Sequence, residues 1–164
     1  MTHAAASQNL SHPAGDKKEL YAELARQAAG LFEGERDLIA NAANLSSLIA
    51  TSLPGLNWAG FYFLKEGELV LGPFQGKPAC VRIALGKGVC GTAALRKSAI
   101  RVDDVDTFPG HIACDAESRS EVVIPLLRGN DLIGVLDLDS SHRGRFDDED
   151  VAGLTELATV LMRT

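Results

Sequence analysis

Apolar residues recur at helical spacing twice near the start of the chain. Leu20, Leu24, Ala28 and Leu31 follow the 3.6-residue period, and Asp16 can cap a helix running to about Phe32. Leu38, Ile39, Ala42, Leu45, Leu48 and Ile49 predict a second helix over about 37–53, stopped by Leu53-Pro54-Gly55. The period then changes. Residues 57–64 are aromatic-rich and read as a strand, 65–68 as a hairpin turn and 69–74 as the return strand. Residues 81–83 and 100–102 are short strands, separated by a glycine-rich turn over 86–91 and a short helix from about Thr92 to Lys97. Residues 121–127 and 132–139 form a second hairpin around 128–131, and Asp147 caps a last helix through Met162 whose Val151, Leu154, Leu157, Ala158 and Leu161 face the sheet.

Hairpins require antiparallel pairing, and helices at both ends must bury their apolar stripes on the sheet. The expected fold class is α+β: one domain with a mostly antiparallel central sheet and its N- and C-terminal helices on one face. The glycine-rich turn and the long polar loop at 103–120 would cover the other face and leave a pocket there. Loops of that length inside a compact domain often carry function.

At 164 residues the chain has room for one domain, residues 16–164, behind a polar segment, 1–15, read as a flexible tail. It contains neither a secretory leader nor an apolar run of the roughly 20 residues needed to span a bilayer. A cytoplasmic protein with no membrane partner is expected. Residues 101–164 carry 6 arginines, no lysine and 14 acidic residues, which argues against a nucleic-acid groove.

Three residue sets carry candidate chemistry. The first is the cysteines, Cys80, Cys90 and Cys114. An odd number in a reducing compartment is not a disulfide framework. Cys114 lies in the polar loop beside Asp115 and three residues from His111, where His111 or Arg119 would favour the thiolate and Asp115 oppose it. Cys80 and Cys90 stand in turn-like, glycine-containing sequence. Three such cysteines suggest thiol chemistry with a nucleophile and resolving partners. Simple packing of the thiols is the competing reading. A zinc site from Cys80, Cys90, His111 and Cys114 would have only one ligand-like step, His111 to Cys114, so no metal is expected. A cysteine peptidase is weaker, because His3, His12 and His142 are poorly placed as bases.

The second set is acidic. Asp137 and Asp139, two apart in an otherwise apolar strand, share one face, and the hairpin register brings Glu121 near Asp139. An exposed polar sheet face would explain them equally. A pocket of this kind would bind an ammonium group or hold one carboxyl protonated as a proton donor. The third set is Trp58 and Tyr62, four apart on the first strand and able to wall a pocket. Gly60 between them can allow a ligand to approach closely.

Together, Asn57-Trp58-Ala59-Gly60-Phe61-Tyr62, the 71–83 stretch containing Cys80, Gly86-Lys87-Gly88-Val89-Cys90-Gly91, Gly110-His111-Ile112-Ala113-Cys114-Asp115, Ser120-Glu121 and Gly134-Val135-Leu136-Asp137-Leu138-Asp139 resemble the free methionine-(R)-sulfoxide reductases. These are small GAF-domain enzymes, and the resemblance covers about residues 17–164. It implies a GAF fold and thiol-dependent reduction of free L-methionine (R)-sulfoxide with no cofactor. Cys114 matches the attacking cysteine, which becomes a sulfenic acid. Cys80 matches the resolving cysteine that forms a disulfide with it, and Cys90 a third cysteine. Thioredoxin is the implied reductant. Trp58 and Tyr62 match pocket aromatics. Glu121, Asp137 and Asp139 match an acidic cluster that holds the substrate, with Glu121 and Asp139 also placed in the catalytic set. Glu117 and Arg119 depart from the small or neutral residues more familiar after the attacking cysteine. The long first helix and the resemblance leave room for a homodimer. A non-catalytic GAF module that binds a small molecule or senses redox state is the alternative, which the absence of methionine formation would favour.

Overall fold

The structure is a computed structural model describing residues 14–112 and 114–164. The expected tail therefore lies almost wholly outside the described residues. Helix α1 spans Ala14–Phe32 and α2 Leu38–Ser52, with Asp37 capping α2 by accepting a bond from the Ala40 amide. Strands β1 (Trp58–Lys65) and β2 (Glu68–Gly76) form the first hairpin, followed by β3 (Arg82–Ala84). Helix α3 (Gly88–Arg96) and strand β4 (Ile100–Val102) come next. A segment with one 3-10 turn at Val105–Thr107 leads to β5 (Ser120–Arg128), β6 (Asp131–Ser140) and α4 (Asp148–Met162). The strands form one six-stranded sheet in the order β3-β2-β1-β6-β5-β4, with every neighbouring pair antiparallel.

Both faces of this sheet are covered. That is why β1 is buried over six consecutive residues instead of every second one. Ala59, Phe61 and Phe63 point to the side where α1, α2 and α4 pack, with Leu24, Leu45, Ile49, Leu136, Leu138, Leu154 and Leu157. Trp58 and Tyr62 point to the other side, with Val89, Cys90 and Ala93 of α3 and with Val102, Val123 and Val135. Both terminal helices thus pack on one face, as expected. Leu31 and Ile39, assigned to buried stripes by spacing alone, are about half exposed, and Tyr21 and Phe32 take the inward positions on α1.

One element begins earlier than its sequence suggests. The glycine-rich segment 86–91 reads as a turn, yet α3 starts at Gly88, so Cys90 lies on a helix and is buried. The glycines are there for contact as well as for turning. A Cβ on Gly91 would stand 2.4 Å from the Ala84 carbonyl oxygen, so only glycine lets the helix press against the end of β3.

Candidate functional site

Sheet register places the acidic cluster. Trp58 of β1 pairs with Asp139 of β6, and Asp139 pairs in turn with Glu121 of β5. One step along, Gly60 pairs with Asp137, which pairs with Val123. Directly opposed residues on one face bring their Cβ atoms to about 4.5–5.5 Å. The three carboxylates therefore converge on the α3 side of the sheet, as the alternation in β6 and the 128–131 hairpin had indicated.

Helix α3 lies over them. The Cys90 thiol donates to Glu121 Oε1 across 3.8 Å. His111 Nε2 stands 3.4 Å from Glu121 Oε2. Glu121 and Asp137 are each only 6% exposed, and the Asp137 Oδ1 oxygen is buried without a hydrogen-bond partner. No lysine or arginine among the described residues pairs with any of the three carboxylates.

The other buried acid among the described residues shows how unusual this is. Asp150, at the start of α4, accepts bonds from Lys17, Arg145, the Tyr21 hydroxyl and the Asp147 amide. Its burial is compensated by two cations and two neutral donors. Burial of Glu121 has no such compensation, and together with the Asp139 charge it pushes the Glu121 carboxyl up to about 8. Burial, then the Glu121 charge, holds Asp137 well above the usual carboxylate range, and burial, then the Asp137 charge, does the same for Asp139. The Cys90 thiol is likewise pushed up, first by burial and then by the Asp137 and Glu121 charges. Near neutral pH the cluster therefore holds protons that isolated carboxyls would release.

Aromatic residues form the adjoining wall. The Trp58 ring stacks on Phe74 at 5.2 Å and on Tyr62 at 6.0 Å between centroids. The Trp58 indole N–H donates to the Lys77 carbonyl at 3.1 Å, and the Tyr62 hydroxyl donates to the Cys80 carbonyl at 2.9 Å. These two bonds hold the β2–β3 connection, and with it Cys80, over the aromatic wall. Gly60 serves a different purpose from the one expected. A Cβ there would stand 2.3 Å from the Phe74 Cβ, so the glycine makes room for β2, where the register shifts between Gly60 and Tyr62, and not for a ligand.

A disulfide joins Cys80 to Cys114, with their Cα atoms 5.6 Å apart. It ties the β2–β3 connection to the segment between β4 and β5 across the mouth of the cleft. The same two stretches are also joined by a Lys77–Glu117 ion pair at 3.1 Å. Asn57 Nδ2 donates to Asp115 Oδ2 and to Ser118 Oγ, both at 3.1 Å, and so anchors the chain just after Cys114 to the start of β1. Glu117 thus has a pairing role, and Arg119 donates to the carbonyls of Ala116 and Ser118. One cleft is lined by Trp58, Tyr62, Cys90, Cys114, Glu121, Asp137 and Asp139, with Lys77, Ala79 and His111 at its sides. Cys80 adjoins it through the disulfide.

All eight residues singled out from the sequence therefore meet at one place. The contact of His111 with Glu121 is not visible in the sequence, where His111 reads as a neighbour of Cys114 and a member of the weakly spaced zinc-ligand set. The Asn57–Asp115–Ser118 anchor is also missed, although Asn57 beside Trp58 marks the position. The disulfide removes Cys80 and Cys114 from the metal-ligand set considered from sequence. It leaves Cys90, Glu121 and Asp137 as a group whose ligand atoms all lie within 4.8 Å of one another.

Comparison with known proteins agrees with this arrangement. The GAF domain family matches residues 42–163. A free methionine-R-sulfoxide reductase of Escherichia coli is 54% identical over 146 residues, 89% of this chain and 88% of the relative. The crystal structure of a free methionine-R-sulfoxide reductase from Neisseria meningitidis in complex with its substrate superposes with a TM-score of 0.87 at 43% identity, covering 99% of this chain and 95% of that one. The fRMsr of Staphylococcus aureus in complex with substrate gives a TM-score of 0.84 at 48% identity, over 87% and 94% of the two chains.

Proposed function

The chain belongs to the GAF-domain family of free methionine-R-sulfoxide reductases, and from that premise we propose how its residues divide the reaction. The activity is reduction of free methionine (R)-sulfoxide to methionine. Cys114, exposed at the cleft mouth, attacks the sulfoxide sulfur as the thiolate. The sulfoxide oxygen takes up one proton and passes as hydroxyl to the Cys114 sulfur as the methionine S–O bond breaks, so methionine leaves and Cys114 is left as a sulfenic acid. Cys80 then attacks the sulfenic sulfur, water departs, and the disulfide forms. A dithiol protein of the thioredoxin class reduces that disulfide by exchange, returning two thiols and closing a two-electron, two-proton cycle.

The single observation that carries this reading is the Cys80–Cys114 disulfide at the mouth of a cleft lined by buried, uncompensated acids. A nucleophile, a resolving thiol and a proton store are the three things the chemistry needs. Glu121, protonated up to about pH 8, is the group we assign to donate a proton to the departing oxygen. Asp137 and Asp139 face the substrate ammonium group. Trp58 and Tyr62 meet its methyl and thioether end. Cys90, whose thiol stays protonated beside Glu121, supports the acid and does not attack. The cycle needs a reducing compartment, which supports a cytoplasmic location. No helix among the described residues is long and apolar enough to cross a membrane.

The experiment uses reduced protein, a small dithiol and racemic free methionine sulfoxide, with chiral analysis of the remainder. Consumption should stop near half with only the S form left, and Cys114→Ser should abolish it. Full turnover by Cys114→Ser would overturn the assignment of the nucleophile. Failure of folded, reduced protein to form any methionine would favour a sensory module.

A further inference from the structure

With Cys80 and Cys114 joined, Cys90 is the remaining thiol, and it lies on the floor of the cleft beside two carboxylates. We propose that Cys90, Glu121 and Asp137 form a binding site for one divalent transition-metal ion of the zinc class, and that this ion and the substrate's ammonium group exclude one another.

Geometry carries the proposal. Cys90 Sγ and one oxygen each from Glu121 and Asp137 lie within 4.8 Å of one another. All three residues are more than nine-tenths buried. In a tetrahedral zinc site, with metal–sulfur near 2.3 Å and metal–oxygen near 2.0–2.2 Å, sulfur and oxygen stand roughly 3.6 Å apart. Cys90 Sγ and Glu121 Oε1 already stand at 3.8 Å. The Asp137 Oδ1 oxygen is buried, lines this cleft and has no hydrogen-bond partner, so it is a ligand oxygen with nothing yet to satisfy it.

The donor set selects the metal. One thiolate with two carboxylates suits zinc, cobalt(II) or copper better than magnesium or calcium, which take oxygen alone. Coordination forms a metal–sulfur bond and releases the Cys90 thiol proton, with no change of oxidation state. Two carboxylates and a thiolate then face two positive charges, where the ammonium group supplies only one. The site shares only Cys90 with the sulfur-rich set that the sequence spacing argues against. It also remains complete when the Cys80–Cys114 disulfide is formed. The exclusion of substrate rests on the reading under Proposed function, but the binding of the ion does not.

The test uses the full chain in its disulfide form, with one free thiol per chain confirmed by thiol titration, and Co2+ as the probe. One Co2+ per chain should bind and give a thiolate-to-cobalt charge-transfer absorption, which Zn2+ should displace. Cys90→Ser should lose that absorption. Loss of a ligand should cost at least the roughly 10–100-fold that loss of an outer partner costs, so Asp137→Asn should weaken binding by about tenfold or more. Far-UV circular dichroism establishes that each variant is folded. Free methionine (R)-sulfoxide should displace the ion. Absence of the absorption in the unsubstituted protein, or its survival in Cys90→Ser, would overturn the site. Retention of the ion under saturating sulfoxide would overturn the exclusion. Turnover by the metal-free, reduced protein, measured in parallel with chelator present, tests the reductase reading separately.

Discussion

Replacing Glu121 by glutamine should make the protein more stable at neutral and alkaline pH while it destroys function. In the folded chain the Glu121 carboxyl titrates at about 8, against 4.5 in an unperturbed chain. Between those values the unfolded chain has released the proton and the folded chain retains it. The unfolded state then binds fewer protons, so stability falls as pH rises through this window. At pH 7 the window has been crossed for about 2.5 units, and at about 1.36 kcal/mol per unit the penalty is on the order of 3 kcal/mol. Glutamine carries no such penalty, because its amide is neutral at every pH. Loss of the Cys90 contact subtracts from the gain. The assay is urea unfolding of the parent and Glu121→Gln at pH 5 and pH 8, under conditions that keep the disulfide intact. The two should differ little at pH 5 and by a few kcal/mol at pH 8, a rise in Tm of several degrees at about 2–4 °C per kcal/mol for a domain of this size. An advantage that fails to grow between pH 5 and pH 8 would refute the claim that this buried carboxyl holds its proton.

Three further outcomes follow from named contacts. Cys80→Ser should keep turnover with a small dithiol but lose most thioredoxin-supported turnover, and a sulfenic-acid reagent should label Cys114 during the reaction. Unchanged thioredoxin-supported rates would remove Cys80 from the cycle. Tyr21→Phe strips Asp150 of a 2.7 Å hydrogen bond on the opposite side of the sheet, so it should cost about 1.5–3 kcal/mol in chemical denaturation and leave kcat unchanged. Gly60→Ala forces a methyl group against Phe74, so it should cost about 1–3 kcal/mol and, by shifting the Phe74–Trp58 stack, raise KM more than it lowers kcat.

Much of the architecture is legible in the residue order because local physics decides it. Asp37 and Asp147 mark helix starts because a side-chain carboxylate satisfies an orphan amide wherever a helix begins. The pairing of Glu121 with Asp139 follows from the 128–131 hairpin, and the shared face of Asp137 and Asp139 from the two-residue period of a strand. The motifs that resemble the reductases name eight candidate residues, and the cleft contains or adjoins all of them.

What the tertiary structure alone decides is the environment of those residues. Nothing in the order of residues tells that Asp150 would meet Lys17 and Tyr21, from the far end of the chain, while Glu121 and Asp137 pair with no lysine or arginine among the described residues. His111 reaches Glu121 only because the segment after β4 folds back over β5. Cys90 reads as a turn residue, and becomes the buried partner of Glu121 only when α3 packs over β5. Composition and period specify which groups are available and which way a strand presents them. Whether a carboxyl keeps its proton depends on the charges and solvent around it, and those are set only when elements far apart in the chain have packed together.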